Sequence, residues 1–296
     1  MQMENTKKQV AKHERDTEVQ KKRPFSVARL IIYIFLILLA IIDIAPLVWM
    51  AMVSLKTNSE VFASPFAFPK VLQLGNYVFA WTNGKLGIAM LNSLIVCGLT
   101  LVLSLILGSM AAFAIARMKW KLSGATMSYI LIGMMVPVHC VLIPLFIRFS
   151  KIGLTDSLWG LILPYTTFSL SMTVFLMVGF FRSMPSELFE AACIDGCGIY
   201  RLFFSIAVPI ARTGFFVSGL ITFVGNWNEL LLGMVFISNP DKKTLPVTLT
   251  YFVGPYATNY VQMFAAIIIA ILPTIIVYCL FSNQIVEGLT AGALKG

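Results

Sequence analysis

The chain has 296 residues, 58% of them hydrophobic and 12% charged, against about 25% charged in an ordinary soluble domain. A mean hydropathy of +0.87 over this length leaves room for several spanning helices and excludes a typical soluble fold. The formal net charge of +9 does not point to nucleic acid, because the Lys and Arg gather at the ends of apolar runs, where they orient a membrane protein.

In chain order, residues 1–28 are polar and carry Lys7, Lys8, Lys12, Arg15, Lys21, Lys22 and Arg23 without apolar periodicity. They read as a poorly ordered tail. The next apolar run is too long for a signal-peptide core and lacks a cleavage site, so it reads as a first transmembrane helix over 29–55. Asp43 lies within it, followed by Pro46. A carboxylate there is an ion or proton site, a group paired with a partner helix or, in the simpler and favoured reading, a group near the outer interface or buried against polar groups. Residues 56–85 form a polar connection with Asn58, Ser59, Glu60, Pro65, Pro69, Asn76 and Tyr77.

Residues 86–284 hold five more spans, near 88–116, 125–149, 158–181, 214–237 and 263–281. Pro137, Pro144 and Pro164 fall in two consecutive spans, which suggests kinked helices around a cavity; ordinary packing kinks are the other reading. The cysteines at 97, 140, 193, 197 and 279 show no CxxC and read as small apolar fillers. His139 has no companions at metal-ligand spacing; as an ionisable group within a span it is a functional candidate, and the simpler reading is a neutral imidazole bonded to a backbone carbonyl. Residues 285–296 form a glycine- and alanine-rich tail.

With six spans both termini share a side. The tail, the 117–121 turn, the 182–212 loop and the C-terminus hold 15 of the 22 Lys and Arg, against 7 on the other side. The positive-inside rule puts both termini and that loop in the cytoplasm.

Within the 183–212 loop, Pro185 suits the start of a helix. Glu187 and Glu190 follow where carboxylates complement the helix dipole. Ala191 and Ala192 are strong helix formers, and Gly196, after Asp195, can take the positive φ that ends a helix. A second helical stretch, Ile199 to Val208, carries Tyr200, Phe203 and Phe204 and stops at Pro209. The product is helix, glycine elbow, helix. Its acidic polar face is unlike that of a helix lying passively on a membrane, which favours Lys and Arg.

Glu190-Ala191-Ala192, then Asp195-Gly196, then Phe203, Ile206 and Pro209, resembles the cytoplasmic loop of permease subunits of ABC importers. The chain departs from that pattern at Cys197, where Ala is usual, and at Thr213, where a second Pro is common. The resemblance implies an all-α integral membrane protein with six transmembrane helices in the type I importer fold. It makes Glu187, Glu190, Ala191, Ala192, Asp195, Gly196, Phe203 and Pro209 the coupling surface for an ATPase subunit. Phe66-Ala67-Phe68-Pro69 with Asn76-Tyr77 is similar to the first external loop of sugar-type permeases. The C-terminus from Gln284 to Gly296 resembles the tail of maltose-importer-like permeases, which extends towards the ATPase dimer.

Asn226-Trp227-Asn228-Glu229 is the most polar cluster within a span. Rings stack on sugars and amides bond their hydroxyls, so the cluster suits a translocation pathway; packing between subunits is the other reading. It resembles the Trp-Asn-Glu sequence common in sugar-type permeases. No GxxxxGK[ST], HExxH or nucleophile elbow occurs. The expectation is therefore a non-enzymatic transport subunit without a cofactor, with ATP bound by partner subunits.

The implied assembly is a second homologous permease, two ATPase subunits and an extracellular solute-binding protein. It would deliver a sugar or oligosaccharide across a prokaryotic plasma membrane. The alternatives are a proton-coupled carrier and an importer permease for a solute such as a glycerol phosphodiester.

Overall fold

The computed structural model describes residues 27–253 and 259–293, with side chains through Ser282. Most of the expected tail at 1–28 lies outside the described residues, as do Gly254, Pro255 and residues 294–296. Among the described residues every regular element is helical. Contacts divide the chain into two units, residues 1–50 and 51–296.

The first unit is described through α1 (Val27–Ser54), which continues four residues into the second unit. Its hydropathy of 2.8 and its length, about 42 Å at 1.5 Å per residue, suit a bilayer crossing. Pro46 does not break it.

In the second unit, the polar connection at 56–85 holds two short helices, α2 (Asn58–Ala63) and α3 (Gly75–Thr82). Thr57 and Glu60 close a reciprocal capping box at the start of α2. Lys56 is buried, its ammonium donating to Ser64 O at 2.9 Å and Pro65 O at 3.1 Å.

The central pair is α4 (Leu86–Arg117) and α7 (Trp159–Arg182). They approach closely because Gly108 faces Thr173; a Cβ on Gly108 would lie 2.7 Å from Thr173 Cγ2. Small residues bring helix backbones together in lipid, where burial of apolar surface offers little drive.

Between them runs the expected third span, which is two helices, α5 (Ser123–Met135) and α6 (Val138–Lys151), meeting at 92°. The cause is Pro137, which forces Val136 out of the helical region, to ψ 111°. Pro144 and Pro164 sit inside α6 and α7 without ending them. Phe146 and Phe149 hold α6 edge-on against Phe236, at 5.8 and 5.6 Å between ring centroids.

The 183–212 loop holds α8 (Ser186–Ile194) and α9 (Ile199–Ile210), and α9 turns through 78° into α10 (Arg212–Trp227). The expected fifth span is also interrupted: α10 stops at Trp227 and α11 (Leu231–Phe236) resumes after residues 228–230. α12 (Leu245–Leu249) and α13 (Tyr260–Ala293) complete the chain. The backbone of α13 stays helical past 285, where the sequence suggests that a tail begins.

Among the described residues four helices are long and apolar enough to cross a membrane, and up to six spans result if each bent pair counts as one. One end of the second unit carries the 183–212 loop. At the other end, Lys85 pairs with Asp241 at 2.8 Å, and Asn92 donates to Asp241 O and Lys243 O at 2.9 and 3.0 Å.

Candidate functional site: the elbow and the interrupted span

The elbow is built locally. Pro185 sits just before α8 in extended conformation, at ψ 136°, and Glu187 falls in the first turn. At the other end the Gly196 N–H donates to Cys193 O at 3.0 Å and the Cys197 N–H to Ala192 O at 2.9 Å. Those two bonds close a Schellman motif, and Gly196 supplies its left-handed residue at φ +75°. α9 contains a π-turn over Leu202–Ala207, in which the Val208 N–H reaches back to Phe203 O. Pro209 fits after this widened turn, so the helix ends at Ile210 and not before Pro209.

Of the eight residues singled out, Ala192 and Phe203 point inward. They join Phe113, Phe181 and Ala207 in one apolar cluster, with Phe113 and Phe203 rings 5.4 Å apart. Glu187, Glu190, Ala191, Asp195, Gly196 and Pro209 are exposed. The element is thus an acidic outward surface on an apolar anchor. Ile194 is 86% and Tyr200 71% exposed, so the outward surface also carries large apolar groups.

One cation ties the elbow to the bundle. Arg117, at the end of α4, donates to Phe181 O at 2.8 Å, to Met184 O, and to Ser186 Oγ at 3.3 Å. It thus binds one carbonyl in the last turn of α7 and one just beyond it.

The interrupted span divides the polar cluster. Asn226 donates to Thr222 O at 2.8 Å and to Ser169 Oγ on α7 at 3.1 Å. Trp227 is buried, stacks on Phe223 at 5.4 Å and donates to Ala270 O at 3.2 Å. Asn228 is exposed and lines a cleft of about 210 Å³ with Pro246, Leu249, Ile271 and Thr274. Glu229 accepts from Leu232 N at 2.9 Å, from Gly233 N at 3.4 Å and from the Tyr165 hydroxyl. Two members therefore face α7, and the other two face α12 and α13.

Residues 104–285 match the family described as binding-protein-dependent transport system inner membrane components. The chain belongs to that family. It is 36% identical over 262 residues to the diacetylchitobiose uptake system permease protein NgcG of Streptomyces coelicolor, covering 88% of this chain and 87% of that one. It is 30% identical over 276 residues to the arabinooligosaccharides transport system permease protein AraQ of Bacillus subtilis, covering 92% and 98%. Its fold matches a chain from the crystal structure of a bacterial ABC transporter that imports the acidic polysaccharide alginate, with TM-score 0.79 and 19% identity, covering 88% and 99%. The all-helical, multi-span fold expected from the sequence is the fold found, consistent with the type I importer architecture.

For a permease of this family, Arg117, Tyr165 and Ser169 are the residues that sequence reading missed. Arg117 read as a charge at a span end, and nothing marked Tyr165 or Ser169 within an apolar run. Two expectations need correction. His139 is exposed in the first turn of α6, and no carbonyl among the described residues accepts its N–H. Only Cys97 is a buried filler; Cys140, Cys193 and Cys279 are exposed. Among the described residues no group of His, Cys, Asp and Glu is arranged to hold a metal.

Proposed function

We propose that this chain is the permease subunit of an ATP-driven importer for a sugar or oligosaccharide. The relatives' names carry the substrate class: diacetylchitobiose, arabinooligosaccharides and, for a permease 32% identical, melibiose, raffinose and stachyose. On this reading an external binding protein delivers the solute, and a second permease completes the pathway. Two ATPase subunits hold the nucleotide, and this chain has no ATPase site of its own. The positive-inside bias puts both termini and the 183–212 loop in the cytoplasm. Asn228 is the member of the 226–229 cluster assigned to the pathway, because it is the exposed one.

The observation that carries the coupling role is the two-sided elbow. Ala192 and Phe203 fix its inner face, while Glu187, Glu190, Ala191, Asp195, Gly196 and Pro209 are turned outward. A proton-coupled carrier has no use for such an element. Tagged wild type purified from native membranes in mild detergent should bring down an ATPase and a second permease. Glu190→Lys with Gly196→Pro should lose the ATPase and keep the second permease. Recovery of no ATPase with wild type, or full recovery with the double variant, would sink the reading.

A further inference from the structure

The spans that flank the elbow, α7 and α10, are joined again far from it. The Tyr165 hydroxyl donates to Glu229, and the Asn226 amide donates to Ser169 Oγ at 3.1 Å. Tyr165 and Ser169 are four residues apart on α7, so both bonds lie on one helix face. Tyr165 is about 25 Å of helix from Arg182, and Asn226 about 21 Å from Arg212, at 1.5 Å rise per residue. The hairpin made by α7, the elbow and α10 is therefore pinned twice. Arg117 and the phenylalanine cluster hold its base. The Tyr165 and Ser169 bonds hold its far part.

The far pin sits at the break between α10 and α11. Residues 228–230 belong to no helix, and such a segment absorbs dihedral change when its flanking helices are displaced. Glu229 lies inside that segment. Its carboxylate caps α11 through Leu232 N and Gly233 N while accepting from α7. A carboxylate at such depth is costly unless its oxygens are occupied, and three donors occupy them here.

We propose that Tyr165 and Glu229 form a latch that makes α7 and the α10–α11 break move as one body. Displacement at the elbow then reaches the far end of the permease and is not lost in residues 228–230. Both are positioning residues. The inference rests on the coupling role proposed for the 183–212 loop.

The test uses the complete importer, with this chain freed of its native cysteines and nitroxides placed at the exposed positions Leu163 and Met234. Their separation is measured by electron paramagnetic resonance before and after trapping with ATP and vanadate. With Tyr165 present, the separation should be narrow and the same in both states. Tyr165→Phe removes the hydroxyl and leaves the α11 cap, and should make the distribution about twofold broader or shift it on trapping. With Tyr165 present, Glu229→Gln should retain the narrow distribution, because its amide can still accept from or donate to the Tyr165 hydroxyl. If Tyr165→Phe does not assemble, Ser169→Ala tests the second bond with the same expected direction. An unlatched separation in wild type, or a wild-type distribution in the hydroxyl-less variant, overturns the latch. Failure of the coupling reading looks different: Glu190→Lys with Gly196→Pro would retain the ATPase whatever the labels report.

Discussion

The guanidinium of Arg117 lies 4.7 Å from the centre of the Phe189 ring, while its N–H groups reach the carbonyls of Phe181 and Met184. One side chain on α4 thus fixes both the end of α7 and the start of α8. Lysine keeps the charge but not the planar fork. Arg117→Lys is expected to cost about 2 kcal/mol locally, which appears as about thirtyfold faster hydrogen exchange at the α8 amides. Unchanged exchange would mean that the apolar cluster alone holds the elbow.

Gly196 has φ +75° and open space where a Cβ would stand. The cost of a side chain there is backbone strain without collision. Gly196→Ala should lower the unfolding free energy of the purified complex by about 1 kcal/mol, and Gly196→Asn by less, because Asn tolerates the left-handed region. Thermal unfolding of the two variants side by side checks the order.

Two other glycines should behave differently. A Cβ on Gly160 would lie 2.2 Å from Leu154 O, a backbone atom that cannot swing away. On Gly108 it would meet the Thr173 methyl at 2.7 Å. Gly108→Ala is expected to cost about 1–3 kcal/mol and Gly160→Ala more. Thr173→Ala should partly rescue Gly108→Ala only. The Thr173 hydroxyl has no hydrogen-bond partner among the described residues, so its removal leaves nothing unpaired there.

Asp156 holds the 238–245 connection. Its carboxylate accepts from Asn239 N at 2.8 Å and Ser238 N at 2.9 Å, with Lys242 and Lys243 nearby. The Asn239 bond leads in holding its pKa below the ordinary 3.8, with the Ser238 bond and the two lysines adding to it. A depressed folded pKa gives stability that is complete above the unfolded value and lost as pH falls through the folded one. Protease cleavage in the connection should therefore rise as pH drops below about 4. Asp156→Asn should flatten that dependence.

Cys193 is exposed on α8 and Cys97 is buried in α4. A membrane-impermeant maleimide applied to inside-out vesicles should label Cys193 and spare Cys97. Assembly with the ATPase should slow the Cys193 reaction severalfold. Labelling at the same rate in the assembled importer would move the docking surface away from α8.

The sequence alone determined what depends on local chemistry and averages over many residues. Apolar length and low charge specify spanning helices, and the Lys and Arg bias suggests their direction. Pro185, the alanines and Gly196 specify a helix that begins and stops where it does, because caps and positive φ are decided within a few residues. The relation of one span to another was decided only by tertiary structure. Pro137 reads as a kink, and its constraint on Val136 opens the helix there, but the 92° direction in which α6 leaves is held by Phe146 and Phe149 packing on Phe236. Asn226 to Glu229 reads as one polar patch, but the fold sends Glu229 to Tyr165 and Trp227 to Ala270. Hydrogen-bond partners separated by 43 to 64 residues leave no periodic trace in spans that are predominantly apolar. Tyr165 and Ser169 therefore became visible only once α7 and α10 lay side by side.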